Sequence, residues 1–320
     1  MKTNHIYVGD NVETLKTLPD ESVDMCITSP PYYNLRDYNN EDQIGSESTV
    51  TDYVNNLIEV FSEIYRVMKP TGSCWVNIAD SYSDKKLLQV PSRFEIAMTD
   101  AGWSLRNEII WNKPNPQPIS SKDRFWSNQE KLFWFVKKTK GYYFDREKIQ
   151  VPQSESALRR LFRGNHPEKR KDAGTTRKEG YSLSAERQVK YFAKMIKSMD
   201  IEKGFDYEKL IASGKCPTRP MFSVWDISTK NFKGSHFAVY PPDLIEIPIL
   251  STCPPNGIVI DPFMGSGTTA VVARNNERQY IGCELNSEYA ELAEKRIEES
   301  VVSSLKNFFK EGDQIKQDNK

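Results

Sequence analysis

Two short segments hold the residue types best placed to do chemistry. The first is Thr28-Ser29-Pro30-Pro31-Tyr32. Its prolines fix the backbone and remove two N–H donors, so carbonyls there can aim at a ligand beside the Ser29 hydroxyl and the Tyr32 ring. That set suits a planar group bearing an NH2: the amino hydrogens bond to Ser29 and a carbonyl, and Tyr32 stacks on the ring. An ordinary strand-end turn with a packed tyrosine is the other reading. The second segment is Asp261-Pro262-Phe263-Met264-Gly265-Ser266-Gly267-Thr268-Thr269, with Glu284 following 23 positions after Asp261. Gly265 and Gly267 permit positive φ and close approach of backbone to a ligand. A carboxylate at Glu284 can accept two hydrogen bonds from ribose hydroxyls, which predicts a nucleoside-containing cofactor. A phosphate loop is excluded, because G-x-x-x-x-G-K-[ST] requires a lysine that does not follow Gly267. The dinucleotide fingerprint needs a third glycine where Ala270 stands, so only its G/A variant keeps that reading open.

The elements that must position these segments alternate between strand and helix. Strands are expected at His5–Val8, Val23–Thr28, Ser73–Ile78, Arg106–Trp111 and Leu132–Val136. Helices are expected where Val12, Leu15 and Leu18 share a face, over Val50–Met68, and near Arg93–Asp100. Late in the chain come a helix at Asp243–Leu250 interrupted by Pro248, a strand at Gly257–Ile260, a helix through Val271–Asn275, the strand Tyr280–Cys283, and a helix from about Ser287. This pattern predicts an α/β fold, a doubly wound and mostly parallel sheet. Ligands in such sheets bind at the carboxyl ends of strands, where both segments fall.

Composition narrows the classes. A length of 320 residues suggests about two domains, and 15 Phe, 15 Tyr and 6 Trp are too many aromatics for a disordered chain. No apolar run approaches the roughly 18–20 residues of a membrane span. The opening MKTNHIYVGD lacks the apolar core of a secretory signal, so a cytoplasmic location is expected. Five cysteines never spaced C-x-x-C, and only three histidines, argue against disulfides, a zinc ribbon or another metal site. Net charge is zero, yet Val151–Pro220 holds 16 Lys/Arg against 9 Asp/Glu. That basic segment, with a helix expected around Ala185–Met199, reads as an inserted or second domain or as a solvated surface region.

Taken together, the motifs resemble those of the S-adenosylmethionine-dependent amino-methyltransferases of DNA. Asp261-Pro-Phe-x-Gly-x-Gly-Thr-Thr is similar to their cofactor loop, and Thr28-Ser-Pro-Pro-Tyr to their (S/D/N)-P-P-(Y/F/W) catalytic loop. His236-Phe237-Ala-x-Tyr240-Pro resembles the segment that lines the methionine end of the cofactor. Catalytic loop first, basic segment next and cofactor loop last is the order of the β class. The resemblance implies a circularly permuted Rossmann-like catalytic domain over 1–150 and 233–300, a DNA target-recognition region over 151–232, and a tail over 301–320. His5–Val8 would then lie beside the strand that ends in Glu284, and all the sites would share one sheet edge.

Roles follow from the same resemblance. Asp10 would contact the adenine amino group and Glu284 the ribose. Pro262, Phe263, Gly265, Ser266, Gly267, Thr268 and Thr269 would wrap the rest of the cofactor with His236 and Phe237. Ser29 and the Pro30 carbonyl would bind the target amine, beside Pro31 and Tyr32, on a base flipped out of double-stranded DNA. Lys113, Lys122, Arg124, Arg159, Arg160 and Arg163 would meet phosphates. The Trp111–Pro116 stretch resembles the flank of the target-base pocket, or is a strand followed by a proline-rich loop. A leading serine favours cytosine N4, with adenine N6 as the alternative. Carbon-5 methylation is rejected, because its Pro-Cys pair occurs here only reversed, at Cys216-Pro217 and Cys253-Pro254. An RNA amino-methyltransferase, a non-catalytic DNA-binding module and a dinucleotide oxidoreductase are the rivals. A cognate restriction endonuclease, and a monomer or homodimer, fit the same reading.

Overall fold

The structure is a computed structural model that describes residues 1–35, 43–162, 207–214, 216–229 and 240–300. The chain divides into two compact units, Met1–Lys148 with Phe222–Lys320, and Ile149–Met221. The first unit begins with β1 (His5–Val8), α1 (Asn11–Lys16), β2 (Val23–Thr28), α2 (Val50–Val67) and β3 (Met68–Ile78). A small hairpin of β4 (Tyr82–Ser83) and β5 (Lys86–Leu87) follows, then α3 (Val90–Asp100), β6 (Ser104–Asn112) and β7 (Gln129–Val136). The second unit holds β8 (Gln150–Pro152), α4 (Glu155–Phe162), α5 (Tyr207–Ala212) and β9 (Thr218–Pro220). The first unit resumes with β10 (Val224–Asp226), α6 (Pro242–Thr252), β11 (Ile258–Asp261), α7 (Thr268–Asn275) and β12 (Gln279–Glu284), and ends in a helix, α8, over 287–300.

One eight-stranded sheet organises the first unit, in the order β1-β12-β11-β2-β3-β7-β6-β10. Every neighbouring pair is parallel except the two made by β7, which runs antiparallel to β3 and β6. All six residues of β2 are buried, as expected of a central strand covered on both faces. Helix α2 covers one face because Tyr53, Leu57, Val60, Phe61, Ile64 and Val67 recur at helical spacing and are buried. Its first turn is capped by Thr49, whose hydroxyl accepts from Asp52 N–H at 3.1 Å.

Register sets the working edge. Val8 stands opposite Glu284, Ile260 opposite Cys26, and Asp261 opposite Gly282. The parallel strands β1, β12, β11 and β2 therefore release their carboxyl ends side by side. The permuted strand order expected from sequence is the one observed.

Three details differ from the sequence reading. Helix α6 continues through Pro248 to Thr252 instead of breaking. In the turn after the proline, Ser251 Oγ donates to Ile247 O and Thr252 Oγ1 to Pro248 O, both at 2.7 Å. The chain returns to the sheet at Phe222, because β10 pairs with β6 through Trp225 opposite Trp111. Three residues are too few to show a strand period. The helix expected around 185–199 and the tail over 301–320 lie outside the described residues.

The second unit is described only in part. Strands β8 and β9 pair antiparallel, Gln150 opposite Pro220 and Pro152 opposite Thr218. Tyr207 Oη donates to Gln153 O at 2.8 Å, fastening α5 to the chain just after β8.

Candidate active site

The glycine segment is organised around the carboxylate of Asp261, at the end of β11 and 1% exposed. It accepts from Thr28 Oγ1 at 2.5 Å, Thr269 Oγ1 at 2.5 Å, Phe263 N at 3.0 Å and Tyr240 Oη at 3.2 Å. Burial pushes its pKa up, and these four donors oppose that rise. The Thr28 bond ties the end of β2 directly to the glycine turn. Gly265 and Gly267 adopt φ of +52° and +81°, the left-handed region that favours glycine. A Cβ at Gly267 would stand 2.8 Å from the Ala293 Cβ of α8. Arg296, also on α8, donates to the Ser266 carbonyl and, at 2.5 Å, to its hydroxyl.

Glu284 closes this side. Gly265 N–H donates to Oε2 at 2.7 Å and Asn286 N–H to Oε1 at 2.9 Å. Both oxygens are thereby oriented, and each has a second lone pair. Burial raises the Glu284 pKa from its ordinary value, and the Asn286 and Gly265 backbone donors partly offset that rise. Asp10, at the end of β1, caps α1 by accepting from Glu13 N–H at 2.8 Å. Asn11 Nδ2 reaches the Pro262 carbonyl at 3.2 Å and fastens α1 to the cofactor loop.

Ser29, Pro30, Pro31 and Tyr32 emerge from β2 on the other side of the same cavity. Ser29, Pro30 and Tyr32 line it together with Asp10, Pro262, Phe263, Gly265, Ser266, Thr268, Glu284 and Tyr289. The Pro31 carbonyl is held by Tyr53 Oη at 2.8 Å. Tyr32 donates to Glu130 Oε2 at 2.7 Å and accepts from Asn77 Nδ2 at 2.7 Å and from Ser29 Oγ at 3.2 Å. Burial, then the Glu130 charge, pushes the Tyr32 phenol well above its ordinary pKa, so it stays a neutral hydroxyl.

The cationic candidates separate. Lys113 pairs with Glu130 and lies over the Trp111 ring, its ammonium 4.4 Å from the centroid. Lys122 is exposed. Arg124 stacks on Tyr82 at 3.5 Å. Arg159 and Arg160 fall in α4 of the second unit. Arg163, His236 and Phe237 lie outside the described residues. Sequence reasoning missed Asn77, Glu130 and Arg296 altogether, and missed the Asp261-bonding role of Tyr240. Of these only Tyr240 had a signal, as the aromatic residue of the H-x-A-x-Y-P segment.

The fold and this two-sided cavity define a class of methyl-transferring enzyme. The chain belongs to the N6/N4 DNA methylase family, whose profile, described as DNA methylase, matches residues 23–295. It is 34% identical over 322 residues to the Type II methyltransferase M.Cfr9I of Citrobacter freundii, covering 92% of this chain and 87% of that one. Identity to M.SmaI of Serratia marcescens is 32% over 326 residues, covering 93% and 91%. Among solved structures, the PvuII DNA methyltransferase (cytosine-N4-specific) shares the fold with a TM-score of 0.60 at 20% identity, covering 92% of this chain and 86% of that chain. The M1.HpyAVI–SAM complex aligns with a TM-score of 0.53 at 22% identity, covering 92% and 98%. The cofactor is S-adenosylmethionine. The residues fit it: Glu284 offers oriented oxygens to a ribose, the glycine turn brings backbone to the cavity wall, and Phe263 supplies an apolar face. Among the described residues no helix is long and apolar enough to cross a membrane.

Proposed function

We propose that this protein methylates the exocyclic N4 amino group of cytosine at a specific site in duplex DNA. One observation carries the reading: Thr28, adjacent to Ser29, is bonded to Asp261 of the glycine turn, and the two segments face one cavity. When bound, S-adenosylmethionine supplies an electrophilic methyl group on a sulfonium sulfur. The protein's task is then to present an aryl amine, a poor nucleophile because its lone pair is delocalised into the ring. Ser29 Oγ and the Pro30 carbonyl accept the two amino hydrogens, which favours a more pyramidal and more reactive nitrogen. The shared cavity holds the reactants in line, which removes much of the entropic barrier. Tyr32 stacks on the extruded base, worth about 1–3 kcal/mol. No covalent bond to the protein is required.

The leading serine favours cytosine over adenine, and the PvuII enzyme of like fold is named cytosine-N4-specific. The basic second unit, Ile149–Met221, with Arg159, Arg160 and Arg163, contacts DNA and reads its target, and Lys122 and Arg124 add phosphate contacts. The Type II relatives support a paired restriction endonuclease. Methylation-sensitive sequencing of DNA from cells expressing the chain, with mass spectrometry of digested nucleosides, tests this. N4-methylcytosine in one sequence context is expected, and N6-methyladenine alone would overturn the base assignment.

A further inference from the structure

Glu130 belongs to no motif, yet it is the hub of the polar network behind the catalytic loop. It lies on β7 opposite Trp111 of β6, with its side chain 10% exposed. Three donors converge on it: Lys113 on Oε1, and Tyr32 Oη and Asn77 Nδ2 on Oε2, each of the latter at 2.7 Å. A carboxylate paired with an ammonium only accepts hydrogen bonds. Tyr32 must therefore donate to Glu130, so its oxygen is left to accept from Asn77 and Ser29. Asn77 obeys the same demand. Its NH2 is turned to Glu130 and Tyr32, and its buried Oδ1 has no partner among the described residues.

We infer that Glu130 is a positioning residue: through Tyr32 it directs the single Ser29 proton away from the cavity, so that Ser29 meets the target base as an acceptor and the site selects an amine over a carbonyl. This rests on the amino-methylation reading and extends it. An amino hydrogen at that position finds a lone pair, whereas the C4 carbonyl of thymine or uracil meets lone pairs with its own. The same line of hydroxyls carries a proton outward. A nitrogen that gains a methyl group must lose one hydrogen. That hydrogen passes to Ser29 Oγ as the serine's moves to Tyr32 Oη and the tyrosine's moves to Glu130. One proton leaves the amine, one arrives on the carboxylate, and Ser29 and Tyr32 end as they began.

The test compares Glu130→Gln, whose amide can donate to Tyr32 and reverse the line, with the intact protein. Once the target sequence is mapped, two duplexes differing only in cytosine or uracil at the target are titrated by fluorescence anisotropy, without turnover. The cytosine-to-uracil affinity ratio of the variant is expected to fall about tenfold or more relative to wild type. Single-turnover methylation should fall about 100-fold or more, with S-adenosylmethionine affinity by calorimetry within about twofold of wild type. An unchanged ratio, or an unchanged rate, overturns the inference. Tyr32→Phe breaks the line while leaving Glu130 in place, so it must lower the same ratio even if Glu130→Gln misfolds, and an unchanged ratio there overturns the inference too. Should the double variant fold, its rate is expected to equal that of Tyr32→Phe alone, and fully additive losses count against the line. If the wild-type protein methylates no DNA amine, the functional reading fails. If it does and Glu130→Gln behaves as wild type, only the inference fails.

Discussion

The two walls of the cavity are built differently. On the cofactor side much of the fastening lies within the turn and the strand after it: Phe263 N–H to Asp261 spans 2 residues, Thr269 to Asp261 spans 8, and Gly265 N–H to Glu284 spans 19, with Thr28 and Asn11 tying the turn to the start of the chain. Backbone donors and a glycine turn do most of the work there. On the base side the fastening is distant and made by side chains. Tyr32 to Glu130 spans 98 residues, Asn77 to Glu130 spans 53, and three strands (β2, β3 and β7) must pair before the set exists. The carboxylates differ accordingly, for Asp261 and Glu284 are held by neutral donors and pushed up by burial, whereas Glu130 has the Lys113 ammonium. A nucleoside cofactor can be read by a contiguous turn, while a flipped base needs a pocket whose polarity is set from behind.

If the walls are separable, variants should split binding from chemistry. Ser29→Ala should lose about 10²–10³-fold in kcat and leave S-adenosylmethionine affinity unchanged by calorimetry, and full activity would remove the serine from the reaction. Asp261→Ala removes the acceptor of the Thr28 bond that joins the walls. It leaves buried hydroxyls without their acceptor at a cost of about 2–3 kcal/mol, read as a lower denaturation midpoint. Unlike Ser29→Ala, it should lower both rate and cofactor affinity. Loss of one property alone would show that the walls are not coupled through Thr28.

Glu284→Gln should weaken S-adenosylmethionine binding by about tenfold and spare DNA affinity. Its pH dependence follows from burial. The free protein holds Glu284 at a pKa above the ordinary 4.5, so the ionised form that accepts ribose hydroxyls is lost earlier on acidification than for an exposed glutamate. Cofactor affinity should fall as pH drops through that raised value, and Glu284→Gln should abolish that acid limb in a calorimetric titration series. For stability the sign is opposite, because a folded-state pKa raised by desolvation makes the ionised carboxylate a cost at neutral pH that acidification relieves.

The same contrast explains what could be read from residues alone. Strand β2 was legible to the residue, because its apolar run ends on Ser29-Pro30-Pro31. The positive φ values of Gly265 and Gly267 were legible because the strand, turn and helix that require them are contiguous. Asn77, Glu130 and Lys113 were not legible as a set. A glutamate at the start of an apolar strand looks like a solvated strand end until β7 is placed between β3 and β6. The break expected at Pro248 failed because a proline removes one N–H from the helix ladder, while Leu244, Ile245, Pro248 and Ile249 are all buried and hold α6 in place by packing. Strand β10 escaped because its pairing partner, β6, lies more than a hundred residues earlier.

The smallest expected effect separates two lysines that composition treats alike. Lys122 is exposed, whereas the Lys113 ammonium pairs with Glu130 and lies over the Trp111 ring. Each phosphate contact contributes about 0.9 to the slope of log affinity against log salt. Lys122→Ala should lower that slope by about this amount and weaken all DNA sequences alike, with single-turnover methylation near wild type at saturating DNA. Lys113→Met should leave the slope where it is, whatever it does to the rate, because its charge is already matched inside the protein. Equal slope changes for the two would mean that Lys113 leaves Glu130 when DNA binds, and the base-side wall would then be assembled by the substrate instead of standing ready for it.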